Sequence, residues 1–193
     1  MRRQRNLLGP QGMGGMVGLW GQSSLVASVQ RGVFTIAFGS TSASATIAAV
    51  DLANAILIYT GSTYNTDTST DEQLFECRLT LTNATTVTGN RQNTGNGSDV
   101  GYEVIEFLPG VIKSMQRGTI SLTGAQQSNT ATITSVNTAR AMMGFLNSQD
   151  QDVSGYGARF KSTTVLTNGT TVTTLRTAAV YTHASSYEVV EFY

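Results

Sequence analysis

The chain is poor in the residues that most often carry chemistry. Its 193 residues include one cysteine, Cys77, and one histidine, His183. A lone cysteine excludes an intrachain disulfide and implies no oxidising compartment, so Cys77 reads as core filler. One cysteine and one histidine cannot build a structural zinc site. A Ser-His-Asp or Cys-His arrangement would have to pass through His183, which sits in a predicted loop between Thr182 and Ala184 with no nucleophile motif nearby. Asp67, Asp71 and Glu72 cluster in one loop and Asp150 and Asp152 in its counterpart, yet neither follows the ordered spacing of a calcium loop. Gly12-Met13-Gly14 has no strand before it and no helix after it, which removes a dinucleotide site. No paired carboxylates stand in a recognisable acid-base setting. No catalytic residue, metal ligand or cofactor is assigned, and the expectation is a protein that is not an enzyme.

Charge is equally sparse. Charged residues make up 12% of the chain, and 12 basic side chains balance 12 acidic ones. With a net charge of zero, no nucleic-acid partner is expected. No apolar run is long enough to span a membrane. Gly9, Pro10, Gly12, Gly14, Gly15 and Gly18 break up the segment after Leu7-Leu8, so a secretory signal is not expected either. Helical periodicity is missing throughout. Thr, Ser, Asn and Gly fill the gaps between apolar positions, a composition of strands with uncharged polar outer faces. Such strands carry few of the charges that keep sheet edges apart, which favours a homo-oligomer over a soluble monomer.

What the chain does have is a second copy of itself. Val29-Gln30-Arg31-Gly32 returns as Met115-Gln116-Arg117-Gly118, and Leu81-Thr82-Asn83-Ala84-Thr85-Thr86-Val87-Thr88 as Leu166-Thr167-Asn168-Gly169-Thr170-Thr171-Val172-Thr173. Tyr102-Glu103-Val104-Ile105-Glu106-Phe107 returns as Tyr187-Glu188-Val189-Val190-Glu191-Phe192. The order is kept and the offsets are 86, 85 and 85 residues, so one supersecondary unit is used twice. Short runs with a period of two recur at spacings of roughly ten residues, which predicts an all-β chain of two tandem antiparallel sandwiches or small barrels. The expected boundaries are an arm over 1–28, repeat one over 29–108, a linker over 109–114 and repeat two over 115–193.

In repeat one the runs Val33–Phe38, Ala45–Val50, Ala55–Tyr59, Glu76–Leu81, Thr85–Thr88 and Tyr102–Phe107 are predicted strands. Their counterparts are Thr119–Thr123, Ala131–Val136, Ala141–Leu146, Ala158–Leu166, Thr170–Leu175 and Tyr187–Phe192. Asn83-Ala84 and Asn168-Gly169 mark hairpins, where Asn and Gly are expected to accept left-handed backbone angles. The acceptor triplets that begin at Asn83, Asn96 and Asn168 read as turns rather than glycosylation sites.

Three groups of residues stand out. Arg2, Arg3 and Arg5 give the first 28 residues a charge of +3, and Met13, Met16, Leu19 and Trp20 lie among the six glycines of 9–21. A basic, Gly-rich and apolar segment fits a docking arm that orders on a partner. Arg31 and Arg117 open their repeats while Glu106 and Glu191 nearly close them. A sheet that pairs first and last strands would therefore form Arg31–Glu106 and Arg117–Glu191 ion pairs that fix register. Tyr181 and His183 mark the loop in which the copies diverge most, an aromatic and an imidazole suited to contact a sugar.

The Arg-Gly opening, the Leu-Thr-Asn-x-Thr-Thr-Val-Thr hairpin and the closing Tyr-Glu-Val-Val-Glu-Phe resemble small repeats in virion structural proteins of tailed bacteriophages, of the tail-fibre, collar and baseplate kind. The resemblance covers Val29 to Phe107 and Met115 to Phe192. It implies a non-enzymatic, multimeric particle component assembled in the host cytoplasm, partnered by other virion proteins and anchored through its N-terminal segment. Two similar domains per chain would let a trimer, the favoured oligomer, present six quasi-equivalent units to a six-fold or twelve-fold tail or collar. Two other readings stay open: a carbohydrate-binding module for a host surface glycan, and a capsid decoration protein.

Overall fold

The structure, a computed structural model, describes residues 24–66, 76–92, 94–150, 161–179 and 181–193. The arm residues Arg2, Arg3, Arg5, Met13, Met16, Leu19 and Trp20 lie outside the described residues, as do Asp67, Asp71, Glu72 and Asp152. Repeat one supplies β1 (Val26–Ile36), β2 (Ser42–Thr46), β3 (Ala55–Thr66), β4 (Arg78–Asn83), β5 (Thr86–Asn90) and β6 (Gly97–Phe107). Repeat two supplies β7 (Ile112–Leu122), β8 (Ser128–Thr132), β9 (Ala141–Asp150), β10 (Ser162–Asn168), β11 (Thr171–Arg176) and β12 (His183–Phe192). A 3-10 turn at Thr138–Arg140 precedes β9. Among the described residues no helix is long and apolar enough to cross a membrane.

Each repeat is a sandwich of two three-stranded antiparallel sheets. In repeat one the orders are β1-β6-β3 and β2-β5-β4, and in repeat two β7-β12-β9 and β8-β11-β10. First and last strands do pair, and the last strand is central in its sheet. Alternation along β1 sends Phe34 and Ile36 inward against Leu57, Leu79, Val87, Val100 and Val104, which form the first core. The second core holds Ile120, Ile133, Val136, Val172, Tyr187 and Val189.

Several sequence expectations shift. β2 and β8 start three residues ahead of the predicted runs. Beyond their ends Ile47 and Val50, and likewise Ile133 and Val136, leave the ladder and turn into the core, with their N–H groups donated to the hairpin carbonyls of residues 84, 85, 169 and 170. β7 begins inside the expected linker, so the repeats are joined by residues 108–111 alone, with Gly110 at φ 89°. The Asn hairpins form without left-handed angles at either asparagine. Asn83 Oδ1 instead accepts the Thr85 N–H (2.9 Å) and hydroxyl (3.1 Å), and Asn168 Oδ1 accepts those of Thr170 (2.9 and 3.0 Å).

Candidate functional site

Each repeated motif residue has a mechanical task. Tyr102 faces Gly32 across β1 and β6, and Tyr187 faces Gly118 across β7 and β12. The rings lie so close over the glycines that a Cβ on Gly32 or Gly118 would meet the phenol oxygen at 2.6 or 2.5 Å. An aromatic side chain thus covers a glycine on an edge strand. Gln30 acts as a short extra strand: its Nε2 donates to Ala48 O (3.0 Å) and its Oε1 accepts the Ala48 N–H (2.7 Å). Gln116 does the same with Thr134, at 2.9 and 2.6 Å.

The arginines pair with glutamates other than those expected. Register places Arg31 opposite Glu103 and Arg117 opposite Glu188. Arg31 Nε lies 2.7 Å from Glu103, and Arg117 Nε lies 2.6 Å from Glu188. Glu106 and Glu191 sit three residues further along, opposite Ser28 and Ser114, where the arginines cannot reach them. They pin the segments that lead into the third strand. Glu106 accepts the Asp51 N–H (2.8 Å) and the Ser28 hydroxyl (3.1 Å). Glu191 accepts the Asn137 N–H (3.0 Å), the Ser114 hydroxyl (3.3 Å) and the Lys113 ammonium (2.9 Å). Lys113, with the Asn137 N–H, holds the Glu191 carboxyl below the usual carboxylate range.

The two copies of the Arg-Glu pair differ in what surrounds them. Arg31 is exposed (67%), whereas Arg117 (23%) and Glu188 (1%) are covered by repeat one. Arg117 Nη1 and Nη2 donate to the carbonyls of Leu52 (2.8 Å) and Ala55 (2.5 Å), and Glu188 Oε2 accepts the Leu57 N–H (2.9 Å). One ion pair therefore satisfies three main-chain groups, the Leu52 carbonyl in the turn before β3 and the Ala55 carbonyl and Leu57 N–H on its open edge, an edge that would otherwise invite pairing with another strand. Burial pushes the Glu188 carboxyl above its ordinary range even though Arg117 and the Leu57 N–H pull the other way.

Around this clamp the repeats share an apolar seam. Ile56, Ile112 and Val190 form its centre, with Ile105, Phe107, Met115 and Phe192 packed on it. The Phe107 and Phe192 rings meet edge to face, centroids 6.3 Å apart. Leu146 of β9 reaches into the core of repeat one, and Asn147, in the left-handed region at φ 65°, donates from Nδ2 to Cys77 O (2.9 Å). Arg78 donates to Ser186 (3.2 Å), and Lys161 pairs with Glu76. The outer face of β7-β12-β9 thus closes the β3–β4 side of the first sandwich.

The residues proposed for sugar contact separate. His183 is not in a loop: it opens β12 and is buried, its Nε2 within 2.8 Å of Ser162 Oγ and 2.9 Å of Ser185 Oγ. It cannot reach a surface ligand. Tyr181 is half-buried, and its carbonyl accepts from Arg176 Nη1 (2.6 Å). Arg176 and its counterpart Arg91 are both buried, and they grip the loop after the first strand of their repeats through the carbonyls of Thr123 and Gln126, and of Ala37 and Ser40. Their matching places 85 residues apart were the available sequence signal. Cys77 is wholly buried, and its thiol is pushed up to about 12 by burial. Among the described residues no group of three or more His, Cys, Asp and Glu could hold a metal ion.

No protein-family model matches the chain, and neither does any curated protein or solved structure.

Proposed function

We propose that the protein is a non-enzymatic structural component of a tailed-phage particle, built into the tail, collar or an attached fibre and anchored by its N-terminal arm. The observation that carries this reading is that repeat two is clamped on repeat one by Arg117, Glu188 and an apolar seam. The chain is thereby a stiff double block joined by a four-residue turn rather than two domains on a tether. The repeated polar residues support it too, since glutamine, arginine, tyrosine and both glutamates of each copy are engaged in holding strands and loops. The resemblance of the repeat blocks to virion repeats supplies the particle, and the basic, Gly-rich segment over 1–28 supplies the anchor.

The test is mass spectrometry of gradient-purified particles from a host that produces the chain during infection. The chain is expected at a fixed copy number per particle, and a version that starts at Ser24 is expected to be left out. A full-length chain that is abundant in the lysate yet missing from purified particles overturns the reading. Imaging of labelled particles separates a tail or collar position from capsid decoration. The carbohydrate-binding alternative keeps Tyr181 alone of its two residues, because His183 is interior.

A further inference from the structure

The clamp between the repeats has two halves, and the duplication gives the chain a spare of each. The first half is a sheet face that carries an Arg-Glu pair, and repeat one has it as Arg31 and Glu103 on the outer face of β1-β6-β3. The second half is the edge of a third strand, and repeat two has it as β9. Register makes the correspondence explicit: Ala55, Ile56 and Leu57 face Glu106, Ile105 and Val104, and Ala141, Met142 and Met143 face Glu191, Val190 and Val189. Thr138 O, Ala141 O and the Met143 N–H are therefore the counterparts of the three groups that Arg117 and Glu188 hold. No side chain among the described residues bonds to them.

Exposure follows the same division. Ile56, under the clamp, is 6% exposed, and its counterpart Met142 is 42% exposed. Leu57 and Leu81 are buried, whereas Met143 and Leu166 are only half-buried. Where the spare surfaces depart from the used ones, they gain apolar side chains. Val33 stands in place of Thr119 and Ile58 in place of Gly144 on the face, and Met142 is exposed on the edge, on the same face of its sheet as Val190. A sheet face and a strand edge that keep both polar groups and uncovered apolar residues mark an interaction surface.

We propose that the occupant of each spare surface is a second copy of this chain. The β9 edge of one copy docks on the outer face of β1-β6-β3 of the next, Arg31 reaching the carbonyls of Thr138 and Ala141, with Met142 against the apolar side chains of that face. The contact continues the internal one, so repeats run one-two-one-two through the assembly. Such a heterologous contact closes into a ring or extends into a filament, according to the rotation between repeats. This deepens the reading of the chain as an assembly component and rests on it only for the premise that copies meet.

The test uses the full chain and two surface substitutions, Arg31→Glu on the face and Met142→Lys on the edge, each checked by circular dichroism for an intact fold. In sedimentation velocity over roughly two decades of concentration up to about 1 mM, the wild type is expected to exceed the 20.5 kDa monomer. Each variant alone is expected to weaken association at least about tenfold. Their equimolar mixture retains one good face and one good edge, so it is expected to stop at a heterodimer. A wild type that stays monomeric overturns the proposal, as does a mixture that stays monomeric. An oligomer that neither substitution changes overturns the head-to-tail contact yet leaves the particle reading intact, because that reading is decided by incorporation into particles.

Discussion

The Glu188 carboxylate accepts the main-chain N–H of Leu57 across 131 residues of sequence, at 2.9 Å. It belongs to the second repeat and satisfies the backbone of the first. That single bond, with the two that Arg117 makes to Leu52 and Ala55, turns an internal duplication into one body.

Arg117→Ala should be far more damaging than Arg31→Ala, although the two arginines hold identical places in their repeats. Removing Arg117 strands a buried carboxylate and two main-chain carbonyls, a loss of about 3–5 kcal/mol. Removing the exposed Arg31 should cost at most about 1 kcal/mol. Urea denaturation of the two variants measures the difference, and equal losses would refute the asymmetry.

Gly118→Ala should displace Tyr187 from its seat and destabilise the chain by about 1–3 kcal/mol, because the new methyl occupies the space of the ring. Gly32→Ala should act the same way on Tyr102. Thermal melts of both variants are the measurement, and the wild-type Tm in either would show that the ring yields without cost.

Glu188 and Glu191 should respond to acid in opposite senses. Lys113 and the Asn137 N–H lower Glu191, so its contribution is present above the ordinary carboxylate range and fades as pH falls through its lowered native pKa. Burial raises Glu188, so the native chain binds that proton more tightly than the unfolded chain does. Its contribution is full below the ordinary carboxylate range and is lost as pH rises through the raised native pKa. Stability profiles between about pH 3 and pH 8 should therefore show the deficit of Glu191→Gln shrinking on acidification, and wild type gaining on Glu188→Gln over the same change. Parallel curves for wild type and either variant would contradict the assignment.

Cys77 should not react with thiol reagents in the native chain at neutral pH. Its side chain is enclosed and its pKa is pushed up to about 12, so thiolate is scarce. Labelling at about pH 8 should occur at the rate of unfolding and accelerate with denaturant. Prompt labelling without denaturant would mean that the β3–β4 side of repeat one opens readily.

Much of the fold was legible from the duplicated blocks, because Leu-Thr-Asn-x-Thr-Thr and Tyr-Glu-Val-x-Glu-Phe mark a hairpin and a last strand by local patterning, whereas the first strands run through Gln-Arg-Gly and begin at Val26 and Ile112, ahead of the runs expected from Val33 and Thr119. The pairing of first with last strands entered the sequence reading only as the condition for the ion pairs, and it is the register of the sheets that shows it. The partner of each arginine did not follow from the repeats, since a shift of three residues along the antiparallel ladder, from Glu106 to Glu103, is set by how the sheets pack. Nor did the burial of His183: the alternation that opens β12 is interrupted by serines, and its place inside is decided by Ser162 on another sheet.

That this chain is all-β, duplicated and built from weakly charged strands can be read from the order of its residues, because strand period, turn chemistry and repetition are written in near neighbours. The inequality of the two copies arises from their packing on one another. Residues of the same type at the same place in each repeat, Arg31 and Arg117, Glu103 and Glu188, share one local environment and differ in what the other repeat lays over them. Burial and partner choice across more than a hundred residues are properties of packing, and no local pattern encodes them.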